Sequence, residues 1–187
     1  FNNYRLTQTP LHLLHSEASL GKAYLKQMGV RPFLEVQPDF PRELLGAVMS
    51  SYFGGRSEVH IRRTVTRVLY CDFLSMYPTV TTLMGSWGWV RSKGVTWEDA
   101  TGDIQAVLGR ITLADLQDPA FWPSLTALVQ VQPDQDIFPV RAKYGTEDEQ
   151  YRLALNHLIS QTPLWFTLAD CIASTFLTGR PPKVIKA

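Results

Sequence analysis

The sequence has little of what staples a chain or coordinates a metal. It contains two cysteines and four histidines in 187 residues. Cys71 and Cys171 lie far apart, without the short spacings of zinc ligands. They read as reduced, packed thiols of a cytosolic protein, with a disulfide between them as the alternative. His12, His15, His60 and His157 are dispersed, which argues against a histidine zinc site. No apolar run is long enough to span a bilayer, so no membrane partner is expected. No basic stretch followed by an apolar core opens the chain as a signal peptide would. A Walker-type phosphate loop and a Gly-x-Gly-x-x-Gly fingerprint are both missing. Nothing points to a Ser-His-Asp or Cys-His grouping. Repeats and low-complexity runs are absent. The net charge is only +1, so any nucleic-acid role has to come from a local patch.

What remains is enough for a folded protein. Hydrophobic residues make up 45% and aromatic residues 11%, which supports a packed core and argues against disorder. The length fits one domain or a domain and a half. The sequence reads as a cytoplasmic protein and as a piece of a longer one.

Residues 1–15 are mixed and extended in character. Ser16 to Gly29 has helical spacing at Leu20, Ala23, Tyr24 and Met28, with Ser16 or Ser19 as cap and Gly29 as stop. A second helix is expected after Asp39, which caps it; Pro41 sits in its first turn, and Leu44, Leu45, Val48 and Met49 form a buried stripe. It runs into Tyr52-Phe53-Gly54-Gly55. Paired glycines read equally as a helix stop or as room for a nucleic-acid backbone to approach. Glu58 to Arg63 alternates as a half-exposed strand that pairs as a hairpin with the next strand. Arg56, Arg62, Arg63 and Arg67, with His60, face a single Glu58. This is the one basic concentration along the sequence. It reads as a solvated strand face or as phosphate contacts.

Trp87 and Trp89 follow a glycine-broken run. They read as packing tryptophans, with base stacking as the alternative. Further helices are expected over Trp97–Leu108, with Gly109 as stop, over Thr112–Leu116, and over Pro163–Leu177, with Thr162 as cap. Ser124–Val131 is apolar and β-branched, and Ile137–Tyr144 reads as a strand before the acidic turn Thr146–Glu149. Tyr151–Ile159 fits helix or strand. Lys183–Lys186 begins a strand. Asp134-Gln135-Asp136 beside Pro133 reads as a loop. The fold class is mixed α/β (α+β), with antiparallel strands flanked by helices.

The densest chemical signal is Leu69-Tyr70-Cys71-Asp72-Phe73-Leu74-Ser75-Met76-Tyr77-Pro78-Thr79-Val80. The apolar run predicts a buried strand broken only by Asp72, and Pro78 suits the first turn of a following helix. A carboxylate beside the free N–H groups of a helix start suits an anion such as phosphate, bridged by Mg²⁺.

The segment Asp72 to Thr79 resembles the first palm motif, Asp-x-x-Ser-Leu-Tyr-Pro-Ser, of family B DNA polymerases; Met76 and Thr79 are its two departures. Tyr52-Phe53-Gly54-Gly55 is similar to the Tyr-x-Gly-Gly loop that precedes that motif in the family. Ser19 to Leu25 also looks like the helix before this loop. The resemblance implies a DNA-directed DNA polymerase using two-metal nucleotidyl transfer on a DNA primer-template with dNTP. It implies Asp72 as catalytic metal ligand, assisted by the Phe73 backbone carbonyl, with Mg²⁺ as cofactor. Leu74, Ser75, Met76 and Tyr77 would bind the nucleotide, with Tyr77 under the sugar, excluding a ribose 2′-OH. Tyr52, Gly54, Gly55, Arg56, Arg62 and Arg63 would contact DNA. The family's Lys-rich second motif and its Asp-Thr-Asp hairpin are not found, so these 187 residues are expected to be inactive alone. On this reading residues 1–57 are a helical lead-in, 58–95 a palm segment, 96–150 an insertion-like region, and 151–187 palm at the base of the fingers. The competing expectation is a non-catalytic nucleic-acid-binding or structural domain on a polymerase-like scaffold.

Overall fold

The computed structural model describes residues 6–55, 61–143 and 151–187. Among these, a short 3₁₀ turn at Leu11–Leu13 precedes α1 (Glu17–Gln27), α2 (Phe33–Val36), α3 (Arg42–Ser50), α4 (Met76–Leu83), α5 (Trp87–Arg91), α6 (Thr101–Arg110) and α7 (Leu113–Gln117). A 3₁₀ stretch at Pro119–Leu125 leads into β1 (Leu128–Gln132), β2 (Asp134–Ala142), β3 (Arg152–Ile159), β4 (Leu164–Thr167), α8 (Leu168–Thr178) and β5 (Lys183–Lys186). The fold is mixed α+β, and its strands pair antiparallel in two small sheets.

The chain forms two compact units. One joins the residues up to Phe40 with Trp87–Thr96; the other holds Pro41–Ser86 and Trp97–Ala187. In the first unit α1 starts as expected. Ser16 caps it, and Ser19 completes the reciprocal box by accepting from the Ser16 N–H. Gly29 then turns the chain with φ of 86°, a conformation suited to glycine. Gln37 explains why residues 87–96 belong here. Its amide accepts from the Val95 N–H at 2.8 Å and donates to the Val95 carbonyl at 3.2 Å, 58 residues away.

The core of the second unit lies between α6, α8 and the sheets. Ile104, Leu108, Val129, Val131, Phe138, Phe166, Leu168, Cys171 and Ile172 are buried together. In the three-stranded sheet β1 is central, flanked by β4 and β5. It alternates buried Val129 and Val131 with half-buried neighbours, the pattern of a strand with one covered face. β2 and β3 form a separate pair. At its start the register shifts between Asp134 and Asp136, and Gln135 takes a left-handed φ of 65°. The pattern is a β-bulge, which re-aims the next side chain. The expected loop at Asp134–Asp136 is thus the opening of a strand.

Other expectations are corrected. Pro163–Leu177 is not one helix. Leu164–Thr167 pairs with β1, and α8 starts only at Leu168. The competing signal is a capping box one turn later. Thr167 Oγ1 accepts from the Asp170 N–H, and the Asp170 carboxylate accepts from the Thr167 N–H and hydroxyl. α3 is not capped by Asp39; Pro41 stands at the cap without a side-chain bond. Its buried position is Ala47, while Val48 and Met49 are exposed. α6 begins at Thr101 rather than Trp97 and runs through Gly109. Its entry is tied instead to the β5 end, where the Ala100 N–H donates to the Ala187 carbonyl at 3.0 Å. Tyr151–Ile159 resolves as strand, and Lys183–Lys186 and Gly179 behave as expected. The acidic turn Thr146–Glu149 and residues 58–60 of the expected Glu58–Arg63 strand lie outside the described residues, and residues 61–63 form no strand.

Phe166 stacks between Phe138 (ring centroids 4.0 Å apart) and Phe53 (5.8 Å), both near parallel. Phe166→Ala should lower unfolding stability by about 3–5 kcal/mol, the range for large aromatic truncations in cores. Urea denaturation of both proteins measures it, and a change below about 1 kcal/mol would show that this stack is not central to the fold.

Candidate functional site

The Tyr52–Gly55 loop leaves α3 and is held by its aromatic member. Phe53 turns inward onto Phe166, while Tyr52 stays 69% exposed. Arg141 grips the same loop from β2. Its guanidinium donates to the Tyr52 carbonyl and lies over the Phe53 ring, 4.8 Å from the centroid. Gly54 has φ of 78°, so the loop turns where a side chain would be strained. Gly55 comes next, and a Cβ placed on it would lie 3.8 Å from the Tyr77 hydroxyl. The two sequence motifs therefore meet in space.

The second motif adopts a different local structure from the one expected. Residues 64–73 form no strand, and Leu69, Tyr70, Phe73 and Leu74 are 79–91% exposed. A strand of nearly uninterrupted apolar residues needs pairing at its edges and cover on both faces. None of the described strands pairs with it. The helix after it is as expected. α4 starts at Met76 with Pro78 in its first turn. Ser75 stands at the cap in the left-handed region, φ 53° and ψ 40°, and its side chain makes no capping bond. The N–H groups of Met76 and Tyr77 therefore have no intrahelical acceptor and no side-chain cap. Thr81 and Thr82 hydroxyls donate back to the Tyr77 and Pro78 carbonyls, each at 2.8 Å, and fasten the first turn.

Asp72 is exposed, as are Met76 and Tyr77. Arg62 and Arg63 are exposed, and Arg63 has a left-handed φ of 57°. Arg56 lies outside the described residues. No group of three or more His, Cys, Asp or Glu side chains converges among the described residues. Asp72 brings a single carboxylate here, and a Mg²⁺ ion that carries phosphate oxygens with it takes only one or two from a protein. A single carboxylate does not form a protein-only cage.

Two features were missed from the sequence. Arg141 has no local signal, because its partners Tyr52 and Phe53 are distant in the chain. Asp136 is wholly buried. Its Oδ2 accepts from the Asp134 N–H at 2.8 Å, and Arg180 Nη1 lies 3.7 Å from Oδ1, close enough for charge attraction but too far for a hydrogen bond. The alternation that begins at Asp136 and Phe138 was the signal available for it. No helix among the described residues is long and apolar enough to cross a membrane. No family model, curated protein or solved structure matches this chain.

Both cysteines are free, Cys71 exposed and Cys171 buried. Burial pushes the Cys171 thiol far up, and the charges of Asp170 and Asp136 add to it. A thiol reagent at mildly alkaline pH should therefore modify one cysteine per native chain, at Cys71, and two after denaturation. Equal native labelling of both, read by mass spectrometry, would contradict this burial.

Proposed function

We propose that this chain is part of a family B-like DNA-directed DNA polymerase and carries the start of its nucleotide site. The observation that carries the reading is the approach of Gly55 to the Tyr77 hydroxyl. In the resemblance one of these residues serves template and the other serves nucleotide, and a polymerase must hold both at one place. Asp72 and the Phe73 carbonyl would hold Mg²⁺, which when bound neutralises phosphate charge and steadies the entering and leaving oxygens. Leu74 and Ser75 lead the backbone into the helix start. The left-handed turn at Ser75 leaves the Met76 and Tyr77 N–H groups for triphosphate oxygens. The ring of Tyr77, whose hydroxyl lies near Gly55, would give a flat floor for a deoxyribose. Tyr52, Gly54, Gly55, Arg56, Arg62 and Arg63 would follow the DNA backbone, which carries no base information. Local strain at a non-glycine residue such as Ser75 is a feature that clusters at working sites.

The test is Asp72→Asn in the polymerase that carries this segment. Asparagine caps helices as well as aspartate does, so a capping role would survive the change. A metal ligand would not. Primer extension should fall about a thousandfold or more, the equivalent of several kcal/mol of charge stabilisation, with melting temperature and primer-template binding nearly unchanged. Tyr77→Ala should instead keep extension and raise ribonucleotide incorporation. Unaltered extension by folded Asp72→Asn would overturn the reading and favour a binding module on a similar scaffold.

A further inference from the structure

The unit built from residues up to Phe40 and 87–96 contains a cleft of about 690 Å³. One wall is the turn after α1, with Arg31 and Phe33; the other is the end of α5 and the segment after it, with Trp89, Arg91, Ser92 and Lys93. Three cations thus line it, and no carboxylate does among the described residues. Arg31, Arg91 and Lys93 are exposed, and Trp89 is 51% exposed. The sequence hides this cluster, because its parts come from two distant segments. The fold joins them through the Gln37 amide, which satisfies both backbone groups of Val95. Gly94 permits that approach, since a Cβ there would lie 3.3 Å from the Gln37 Oε1. Phe33 is set by an edge-on contact with Phe40 at 4.9 Å.

From this geometry we infer that the cleft is a binding site for single-stranded nucleic acid, separate from the site around Asp72. Cations around an exposed indole match what an unpaired strand presents, phosphates at regular intervals and open base faces. A duplex covers those faces by stacking, so it cannot use Trp89 in this way. Among the described lining residues the neutral hydrogen-bonding side chains are the Ser92 hydroxyl and the Trp89 indole N–H, which leaves little means of reading base edges. Binding is therefore tolerant of sequence and sensitive to salt. The inference does not depend on Asp72 holding a metal.

The test uses the 187-residue chain and a fluorescently labelled oligothymidylate, followed by anisotropy across a salt series. Wild type should bind at low salt. Arg31→Gln, Arg91→Gln and Lys93→Gln together should weaken binding and reduce the magnitude of the salt slope by about two, at roughly 0.7 per phosphate for three cations. Trp89→Ala should weaken binding roughly five- to a hundredfold and leave the slope nearly intact. If Trp89→Ala does not fold, the surface triple variant decides alone. Absence of wild-type binding, or a triple variant with unchanged affinity and slope, overturns the inference. So does a loss confined to Arg62→Gln with Arg63→Gln, which would instead assign binding to the Asp72 region. Competition separates the phosphate sources. Complete displacement by equimolar dNTP or inorganic phosphate would make this a small-anion site, and equal binding to phosphatidylserine vesicles would make it a membrane surface. Either result rejects the strand.

Discussion

The stack of Phe53, Phe166 and Phe138 is the constraint on which the candidate site depends. Phe166 is 2% exposed and Phe138 fully buried, so two of the three rings belong to the core proper. Phe53 belongs to a surface loop. Near-parallel rings at these separations add about 0.5–1.5 kcal/mol per pair beyond the area they bury. That increment orders the Tyr52–Gly55 loop without a regular secondary structure of its own. Arg141 acts on the same loop through a different force. Its bond to the Tyr52 carbonyl satisfies a main-chain acceptor that no helix or strand serves, and its charge lies over the outer ring. The loop is thus fixed from β4 and β2, and it carries the fixed position of Gly55 to the hydroxyl of Tyr77.

The bulge at Gln135 sets a second buried group on the same strand as Phe138. Because the register slips there, Asp136 enters the interior where an apolar residue would ordinarily sit. Burying an unpaired carboxylate costs several kcal/mol, and removing the partner of a buried pair exposes that penalty. Arg180 meets it from the turn after α8. One nitrogen lies beside Asp136, and another donates to the Asp134 carbonyl. Ser174 adds a bond from the Ile137 N–H at 3.1 Å. The arrangement ties the end of α8 to the start of β2, next to Phe138. Cys171 on α8 is buried as well, and that burial, with the charges of Asp170 and Asp136, pushes its thiol up.

How much of this was legible in the sequence follows from the range of each interaction. Several elements are set by signals within their own few residues. The Ser16 cap, the stop at Gly179, the strand at Lys183 and the helix after Pro78 are each decided within a few residues. Where two local signals compete, tertiary pairing decides between them. Pro163 suits a helix start, but Leu164–Thr167 finds β1 as a partner, and Thr167 with Asp170 makes the better cap. The expected strand at Leu69–Phe73 failed for the opposite reason. Its composition is right, yet a strand exists only when another backbone pairs with it, and composition does not carry the partner. The sites divide in the same way. The motif residues Tyr52–Gly55 and Asp72–Tyr77 were visible as strings, whereas Arg141 and the Arg31–Arg91–Lys93 cleft exist only as tertiary neighbours.

The exposed run before α4 has a thermodynamic direction. Val65, Val68, Leu69, Phe73 and Leu74 are 79–102% exposed, and each large apolar side chain forgoes about 1.5–3 kcal/mol by staying in water. The backbone at Ser75 adds strain on the order of 1–2 kcal/mol for a left-handed non-glycine residue. Both terms sit within a dozen residues of Asp72, while the first turn of α4 behind them is fastened by Thr81 and Thr82. The segment is therefore held at one end and gains free energy from any sheet edge that covers the other. Strand pairing would satisfy its backbone and bury its apolar side chains together. It would leave Asp72 as the single charged residue at the strand's end, facing the unused N–H groups of the helix. Under the proposed polymerase reading, the same event that stabilises this run completes the nucleotide site.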